Sequence, residues 1–180
     1  MRGHAHAAAI VFAFLLLPAC GFHLRGDIAL PAEMQSTFIS YRGTDAGLLR
    51  TVARALTLSG AGVARDAGGA TAVLMLPRAA VIRRVLAKDI EGRPREYEIA
   101  VELAYSVVAP DGFVLVPQQE VIRRANVALD PAQPLANAGE VERAVEGLRE
   151  DAVWDMLRRI AATEVQTRPV EPAETGGAAE

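Results

Sequence analysis

The sequence is short of the side chains that most catalytic and metal sites require. Its 180 residues include one cysteine and three histidines. His4 and His6 lie near the start of the chain, so only His23 remains beyond the first few residues. Zinc sites and Ser-His or Cys-His nucleophile pairs need these residue types. A single cysteine also leaves no disulfide within the chain. The sequence therefore predicts a protein that is not an enzyme and has no metal or cofactor.

Two other functional classes also lack their sequence signals. The glycine-rich stretch 60–69 is not followed by Gly-Lys-Ser or Gly-Lys-Thr, so it does not match a phosphate-binding loop. Glu96, Glu98 and Glu102 alternate along one predicted strand, where a solvated strand face explains them better than carboxylate catalysis. The formal net charge of −3 gives no reason to expect a protein that coats nucleic acid.

The first nineteen residues have the three zones of a secretory signal peptide. Arg2 supplies an early positive charge, residues 7–17 form an uninterrupted apolar run, and Pro18-Ala19 places small residues at a cleavage point. The apolar run is too short for a transmembrane helix, which needs about 20 residues. We therefore interpret residues 1–19 as a signal peptide that is removed from the mature chain.

The only cysteine directly follows the predicted cleavage point. Residues 17–20, Leu-Pro-Ala-Cys, resemble the bacterial lipobox, in which the cysteine is acylated and becomes the first residue of the mature protein. Two or more acyl chains hold a protein stably on a membrane, whereas one holds it only marginally. In lipoproteins with this motif, Asp directly after the cysteine commonly means retention in the inner membrane. Gly21 follows Cys20 here and therefore favours the outer membrane. An ordinary signal peptide that happens to contain a cysteine remains the alternative.

The first part of the mature chain predicts a strand followed by a helix. Residues 36–41, STFISY, are rich in β-forming side chains. Apolar residues then recur at helical spacing from Leu48 to Leu56. Thr44 or Asp45 can cap the start of this helix. We interpret residues 20–35, which have no regular pattern, as a lipid anchor and tether.

Three longer strands follow a glycine-rich loop at residues 60–71. Their patterns cover residues 72–90, 95–110 and 113–128, and tight turns separate them. Pro77 lies within the first of these strands and requires an edge position or a bulge. The middle strand alternates most clearly, with one apolar face made by Tyr97, Ile99, Val101, Leu103, Tyr105 and Val107. The three strands therefore predict an antiparallel meander with one solvated face.

Helical spacing returns after the meander. Apolar residues from Val141 to Ile160 form one stripe, which predicts a helix over about Asn137 to Ala162. Residues 164–180 contain almost no large apolar side chain and are predicted to be disordered. The domain is then residues 36–163, with the order β-α-β-β-β-α. We predict an α+β, two-layer sandwich with two helices packed on one face of a four-stranded, mostly antiparallel sheet; the partner of the first strand stays open.

Basic side chains concentrate around the first hairpin turn of the meander. Antiparallel folding brings seven of them to one end of the sheet: Arg83, Arg84, Lys88, Arg93, Arg95, Arg123 and Arg124. One member of each Arg-Arg pair must face the solvated side, because successive strand residues alternate. Ion pairs with strand glutamates explain these charges in one interpretation. Binding of an anionic, phosphate-bearing ligand explains them in the other.

Several segments resemble one known family, the LptE lipoproteins of lipopolysaccharide (LPS) assembly. The resemblance is carried by CGFHLRG after the lipobox, by ALPAEM, and by the helix LLRTVARALTLSGAGV and strand EYEIAVELAYSV. It implies two helices on a four-stranded sheet. It also implies an outer-membrane lipoprotein, lipid-anchored on the periplasmic side, that plugs and helps assemble the LptD β-barrel and assists delivery of LPS to the outer leaflet.

The family resemblance also implies a contact with phosphorylated LPS. Basic residues near the first hairpin turn and before the last helix make this contact in the family. This chain matches the family's basic residues only in part, because it has Ile90 and Asn137 at two of those positions. A structural lipoprotein or assembly factor that faces the periplasm and has no direct LPS role remains the alternative. The candidate contacts for LPS or another anion are Lys88, Arg93, Arg95, Arg123 and Arg124.

Overall fold

A computed structural model of the protein describes residues 28–165. Most of its helices and strands lie at the positions that the sequence periodicity predicted. The predicted signal peptide, Cys20 and the greater part of the 164–180 tail lie outside the described residues. The elements are a 3-10 helix Ala32–Met34, β1 Ser36–Tyr41, α1 Ala46–Leu58, β2 Gly62–Val63, β3 Ala72–Lys88, β4 Pro94–Val108, β5 Val114–Ala128 and α2 Pro134–Ala162.

The described strands form one five-stranded sheet in the order β2-β1-β3-β4-β5. β1 is parallel to both of its neighbours, whereas β3, β4 and β5 form the predicted antiparallel meander. β1 therefore pairs with β3, which the sequence pattern left open. The prediction of four strands is wrong. The fifth strand, β2, has only two residues, Gly62 and Val63, so it is too short to show an alternating pattern.

The two described helices and the inner face of the sheet enclose the core. Alternation along β4 buries its predicted apolar face, and the side chains from Ile99 to Val107 on that face are at most 1% exposed. Leu56 of α1 and Leu157 of α2 join the same cluster. Met34, from the 3-10 helix, closes it and is 1% exposed. The predicted α+β sandwich with both helices on one face is thus confirmed.

Pro77 marks a change in the surroundings of β3. β1 pairs with β3 only as far as Leu76, and a register shift between Met75 and Arg78 forms the bulge that Pro77 requires. Beyond the bulge β3 continues to Lys88 and pairs, among the described strands, with β4 alone. We call residues 79–88 the β3 extension. Its residues 82–86 are all exposed.

Candidate functional site

The turn between β3 and β4 is organised around the carboxylate of Asp89. Its Oδ1 accepts hydrogen bonds from the backbone N–H groups of Glu91 (3.0 Å) and Arg93 (2.9 Å). Gly92 has a φ of 79°, a conformation that glycine adopts without steric cost. The turn therefore holds its shape through one acidic side chain and one glycine, and it presents Ile90 fully exposed at its tip.

Asp89 also pairs with two of the predicted anion contacts. Arg93 Nε donates to Asp89 Oδ2 at 2.8 Å, and Arg95 Nε lies 3.6 Å from the same oxygen. Arg93 pairs with Glu91 as well. Desolvation alone would raise the pKa of Asp89, but the hydrogen bonds from the Arg93 side chain and from the turn N–H groups hold it below its ordinary value. Arg93 and Arg95 are therefore already charge-compensated within the turn.

Lys88 and Arg124 differ from these two arginines. Both are exposed, and neither forms a salt bridge with any residue between 28 and 165. Lys88 is the last residue of β3 and pairs in register with Pro94. Arg124 lies on the outer face of the sheet opposite Ala100 of β4. These are the two predicted contacts whose charge is most available to a ligand.

Arg123 lies on the opposite face, toward the helices. Its Nη2 is 2.7 Å from Asp155 Oδ2 of α2, and the Asp155 side chain is only 13% exposed. Arg159 approaches the same carboxylate oxygen at 3.0 Å. Arg123 therefore ties β5 to α2, and the five predicted residues do not form one continuous patch. The sequence pattern could not show this, because the acidic partner is on a distant helix.

The remaining arginine pair of the meander is divided between the two faces as alternation predicts. Arg84 lies on the outer face, where its Nη1 is 3.4 Å from Glu98 Oε1. Arg83 points to the inner face, and its guanidinium carbon is 5.5 Å from the centre of the Tyr97 ring, within cation–π range. Among the described residues Arg83 has no acidic partner, so it joins Lys88 and Arg124 as an available cation.

The site also contains exposed apolar residues that the predicted contact set left out. The side chains of Ile82, Val85 and Leu86 are 36%, 38% and 46% exposed, and Ile90 lies beyond them in the turn. Along the β3 extension they flank the two consecutive arginines, in the order Ile82, Arg83, Arg84, Val85, Leu86. The available signal was the segment AAVIRRVLAKDI itself, which places apolar side chains on both faces of one strand.

Asn137, which stands at one of the family's basic positions before the last helix, has a local structural role. Asn137 Oδ1 accepts a hydrogen bond from the backbone N–H of Asp130 (3.0 Å), and its Nδ2 donates to the Asp130 carbonyl (2.7 Å). These bonds close the loop between β5 and α2. Asn137 thus supplies no positive charge here and is engaged with the backbone.

Two other kinds of site are absent from the described part of the chain. Between residues 28 and 165 no group of three or more His, Cys, Asp or Glu side chains is arranged to hold a metal ion. None of the helices in that range is long and apolar enough to cross a membrane.

Comparisons with known proteins cover this same domain. The sequence model of the family described as "LptE: Lipopolysaccharide-assembly" matches residues 32–160. A protein named LPS-assembly lipoprotein LptE from Photorhabdus laumondii is 26% identical over 160 residues, which cover 89% of this chain and 87% of the relative. A protein of the same name from Pectobacterium atrosepticum is 26% identical over 165 residues, covering 89% and 86%.

Solved structures of similar fold extend the comparison. The solution structure of an uncharacterized lipoprotein B from Nitrosomonas europaea has a TM-score of 0.62 and 26% identity, and it covers 79% of this chain and 91% of its own. A minor lipoprotein from Acinetobacter baumannii has a TM-score of 0.61 at 13% identity, covering 75% and 98%, and shows the fold alone.

Proposed function

Because the chain belongs to the LptE family of lipopolysaccharide-assembly proteins, we propose that it is an outer-membrane lipoprotein that plugs and helps assemble the LptD β-barrel. It is anchored on the periplasmic side through acylated Cys20, and it assists delivery of LPS to the outer leaflet without catalysing a reaction. The observation that carries this proposal is the family match, which spans residues 32–160 and so nearly the whole described domain.

The outer face of the sheet supports a role inside a barrel. The lumen of an outer-membrane barrel is polar, so a plug needs a surface that is neither strongly apolar nor of one charge. Arg78 pairs with Glu120 at 3.2 Å across this face, and Arg84 pairs with Glu98. The described helices pack on the other face. The outer face therefore presents balanced charges over the length of the meander.

The available cations of the meander support a contact with phosphate. Lys88 and Arg124 are exposed and have no acidic partner among residues 28–165. Arg83 also has no acidic partner in that range, and its guanidinium carbon lies 5.5 Å from the centre of the Tyr97 ring. Arginine binds phosphate through a planar pair of donors, and lysine binds it as a point charge. The exposed apolar residues beside them suit an amphiphilic ligand, of which LPS is one.

Co-purification and depletion test the barrel role. We expect tagged full-length protein, extracted from its native outer membrane, to bring down a large outer-membrane barrel of the LptD type. We also expect its depletion to reduce both the folded barrel and surface LPS. Recovery without any barrel, or normal surface LPS after depletion, would favour a structural lipoprotein that faces the periplasm.

Substitution of Cys20 tests the anchor separately. We expect Cys20→Ser to abolish incorporation of labelled palmitate and to release the protein from the membrane fraction, because the acyl chains supply the attachment. Incorporation of label into the Ser variant would show that acylation occurs elsewhere.

The ligand contact is tested by reversing two available charges. We expect Lys88→Asp with Arg124→Asp to weaken LPS binding at least about tenfold, since each reversal replaces an attraction to phosphate with a repulsion. The matched control is Arg50→Asp with Arg65→Asp, which makes the same charge change at two exposed residues that form no salt bridge between residues 28 and 165. Equal losses in the two double variants would indicate that only overall charge matters.

A further inference from the structure

The β3 extension has an open backbone edge on the side where β1 would continue. β1 ends at Tyr41, and the chain then turns into α1 at Ala46. The N–H of Arg42 donates to the carbonyl of Leu76, and beyond this bond no backbone group of residues 28–165 is bonded to that side of β3. A Cβ on Gly43 would lie 2.4 Å from the carbonyl oxygen of Ala79. Within the described part of the chain, the connection closes this edge as far as Ala79 and leaves it open beyond that residue.

The register identifies which backbone groups lie on this edge. The N–H of Leu129 donates to the carbonyl of Arg95, so odd-numbered residues of β4 pair their backbone groups with β5. Even-numbered residues of β4 then pair with β3, through partners such as Ile82 and Arg84. Odd-numbered residues of the extension consequently direct their N–H and C=O groups away from β4: Val81, Arg83 and Val85.

This edge is only partly protected in the ways that edge strands usually are. Natural edges are blunted by proline, charged side chains, bulges or covering elements, because an open edge is a template for another strand. Residues 79–85 carry two arginines but no proline, and their register with β4 is unbroken, because the bulges of the extension come after Val85. Here Val85 and Leu86 are 38% and 46% exposed, and the proline of β3 lies before the extension. By contrast, the free edge of β5 carries Pro117, and Arg159 of α2 donates to the Glu120 carbonyl at 3.2 Å.

We propose that the open edge of the β3 extension binds an extended segment of the barrel partner, which adds a strand beside residues 81–85. This inference rests on the proposed function, because it names a contact of that same complex. The added strand would pair with the backbone groups of Val81, Arg83 and Val85 and cover the apolar side chains beside them. Strand addition of this kind takes its affinity from main-chain hydrogen bonds and its specificity from alternate side chains.

The positive charges of the β3 extension indicate which side chains the added partner strand should carry. Arg83 and Lys88 have no acidic partner between residues 28 and 165, and the contact of Arg84 with Glu98 is 3.4 Å long. A partner strand with two consecutive acidic residues opposite Arg83 and Arg84, and apolar residues on either side of them, complements both properties of the edge. A second copy of this chain is disfavoured, because two such edges would place arginines opposite each other. The chain's own residues 166–180 include Pro169, Pro172 and a Gly-Gly pair, which suit a strand poorly.

Amide hydrogen exchange on the purified complex tests the contact. We expect the amides of Val81, Arg83 and Val85 to exchange at least tenfold more slowly in the barrel complex than in the free protein. The amides of Asn126 and Ala128, which face outward on the β5 edge, serve as the internal reference and keep their rates. Unchanged rates at the β3 edge, or equal slowing at both edges, would overturn the proposal. If no complex forms, the barrel role itself fails.

A proline substitution tests the hydrogen bond without relying on exchange. Val85→Pro removes one backbone N–H that points outward from the edge. Val85→Ala also shortens the side chain but keeps this N–H. We expect Val85→Pro to bind the barrel about tenfold more weakly than Val85→Ala, whereas Asn126→Pro on the other edge binds like wild type. Equal binding by the two Val85 variants would contradict strand addition.

Two further measurements on the free protein address the other occupants. A dimer in light scattering that Val85→Pro dissociates would assign the edge to a second copy. Faster exchange of the Val81, Arg83 and Val85 amides after deletion of residues 166–180 would assign it to this chain's own C-terminal segment. Either result would overturn the proposal.

Discussion

At the scale of single residues, Arg149 connects the two helices and predicts a measurable loss of stability when removed. Its Nη2 lies 2.8 Å from Asp45 Oδ2, and its side chain is 13% exposed. Asp45 also caps α1, since its Oδ1 accepts from the Leu48 N–H at 2.7 Å. We expect Arg149→Leu to lower the free energy of unfolding by about 2–3 kcal/mol, because it leaves a shielded carboxylate without its cation. Urea unfolding measures this.

A second interhelical pair provides the control for Arg149. Arg54 and Glu150 lie 2.6 Å apart, but their side chains are 60% and 46% exposed. Exposed pairs contribute less than about 1 kcal/mol, so Arg54→Leu should have a small effect despite the short distance. Similar losses from Arg54→Leu and Arg149→Leu would show that burial does not decide the strength of these pairs.

The same carboxylate makes part of the stability depend on pH. Desolvation would raise the pKa of Asp45, but the hydrogen bonds from Arg149 and from the Leu48 N–H together lower it below the ordinary value. Its stabilisation is complete above the unfolded-state pKa of about 3.9 and is lost as the pH falls through the folded-state pKa. We expect Asp45→Asn, which keeps the cap, to lose less stability than wild type between pH 5 and pH 2. Parallel pH profiles would contradict this.

At the scale of elements, α2 contains two glycines that predict a gain in stability. Gly139 and Gly147 are exposed, and a Cβ built on either meets no atom within 4 Å. Glycine within a helix is about 0.8–1 kcal/mol less favourable than alanine. We therefore expect Gly139→Ala with Gly147→Ala to raise the free energy of unfolding by about 1–2 kcal/mol in thermal or urea unfolding.

Gly43, between β1 and α1, gives the opposite expectation for the same substitution. Its Cβ would lie 2.5 Å from the Tyr41 ring as well as 2.4 Å from the Ala79 carbonyl oxygen. Gly43→Ala should therefore destabilise the protein by about 1–3 kcal/mol, because neither neighbour is free to move. A neutral Gly43→Ala would mean that the connection after β1 relaxes.

Elements with a strong period were predictable from the sequence, and short or irregular ones were not. The alternation of β4 and the helical stripe of α2 gave both their type and their buried face. α2 begins at Pro134 rather than Asn137, because proline is favoured in the first turn although it adds nothing to an apolar stripe. β2 has two residues and therefore no period. The partner of β1 depends on a non-local pairing that no local pattern encodes.

At the scale of the whole molecule, the candidate site was predictable in position but only partly in composition. The meander topology brings the basic residues near the first hairpin turn to one end of the sheet, as that turn predicted, but Arg123 and Arg124 lie opposite the middle of β4. However, Arg123 pairs with Asp155, and Arg93 pairs with Asp89. The first of these pairs depends on how α2 packs across the sheet, and the second on the geometry of one turn. Charge patterning alone could not separate these engaged cations from Lys88 and Arg124.

The uneven covering of the sheet predicts two zones of stability in the free protein. Val101 and Val121 lie beneath the helices at 0% exposure, whereas the β3 extension, exposed at residues 82–86, has one of the described strands beside it on one side only. We expect the amides of Ile82 and Arg84, which the register directs toward β4, to exchange through local opening with a free energy below that of global unfolding. Their exchange should depend little on urea, since such opening exposes little surface.

Native-state exchange at increasing urea distinguishes this local opening from global unfolding. The amides of Val101 and Val121, inside the meander, should follow the global unfolding curve and act as the control. If Ile82 and Arg84 followed the same curve, the extension would be part of one cooperative unit. An edge that opens locally can adjust its register to an incoming strand at small cost, and this favours strand addition by a partner at the β3 extension.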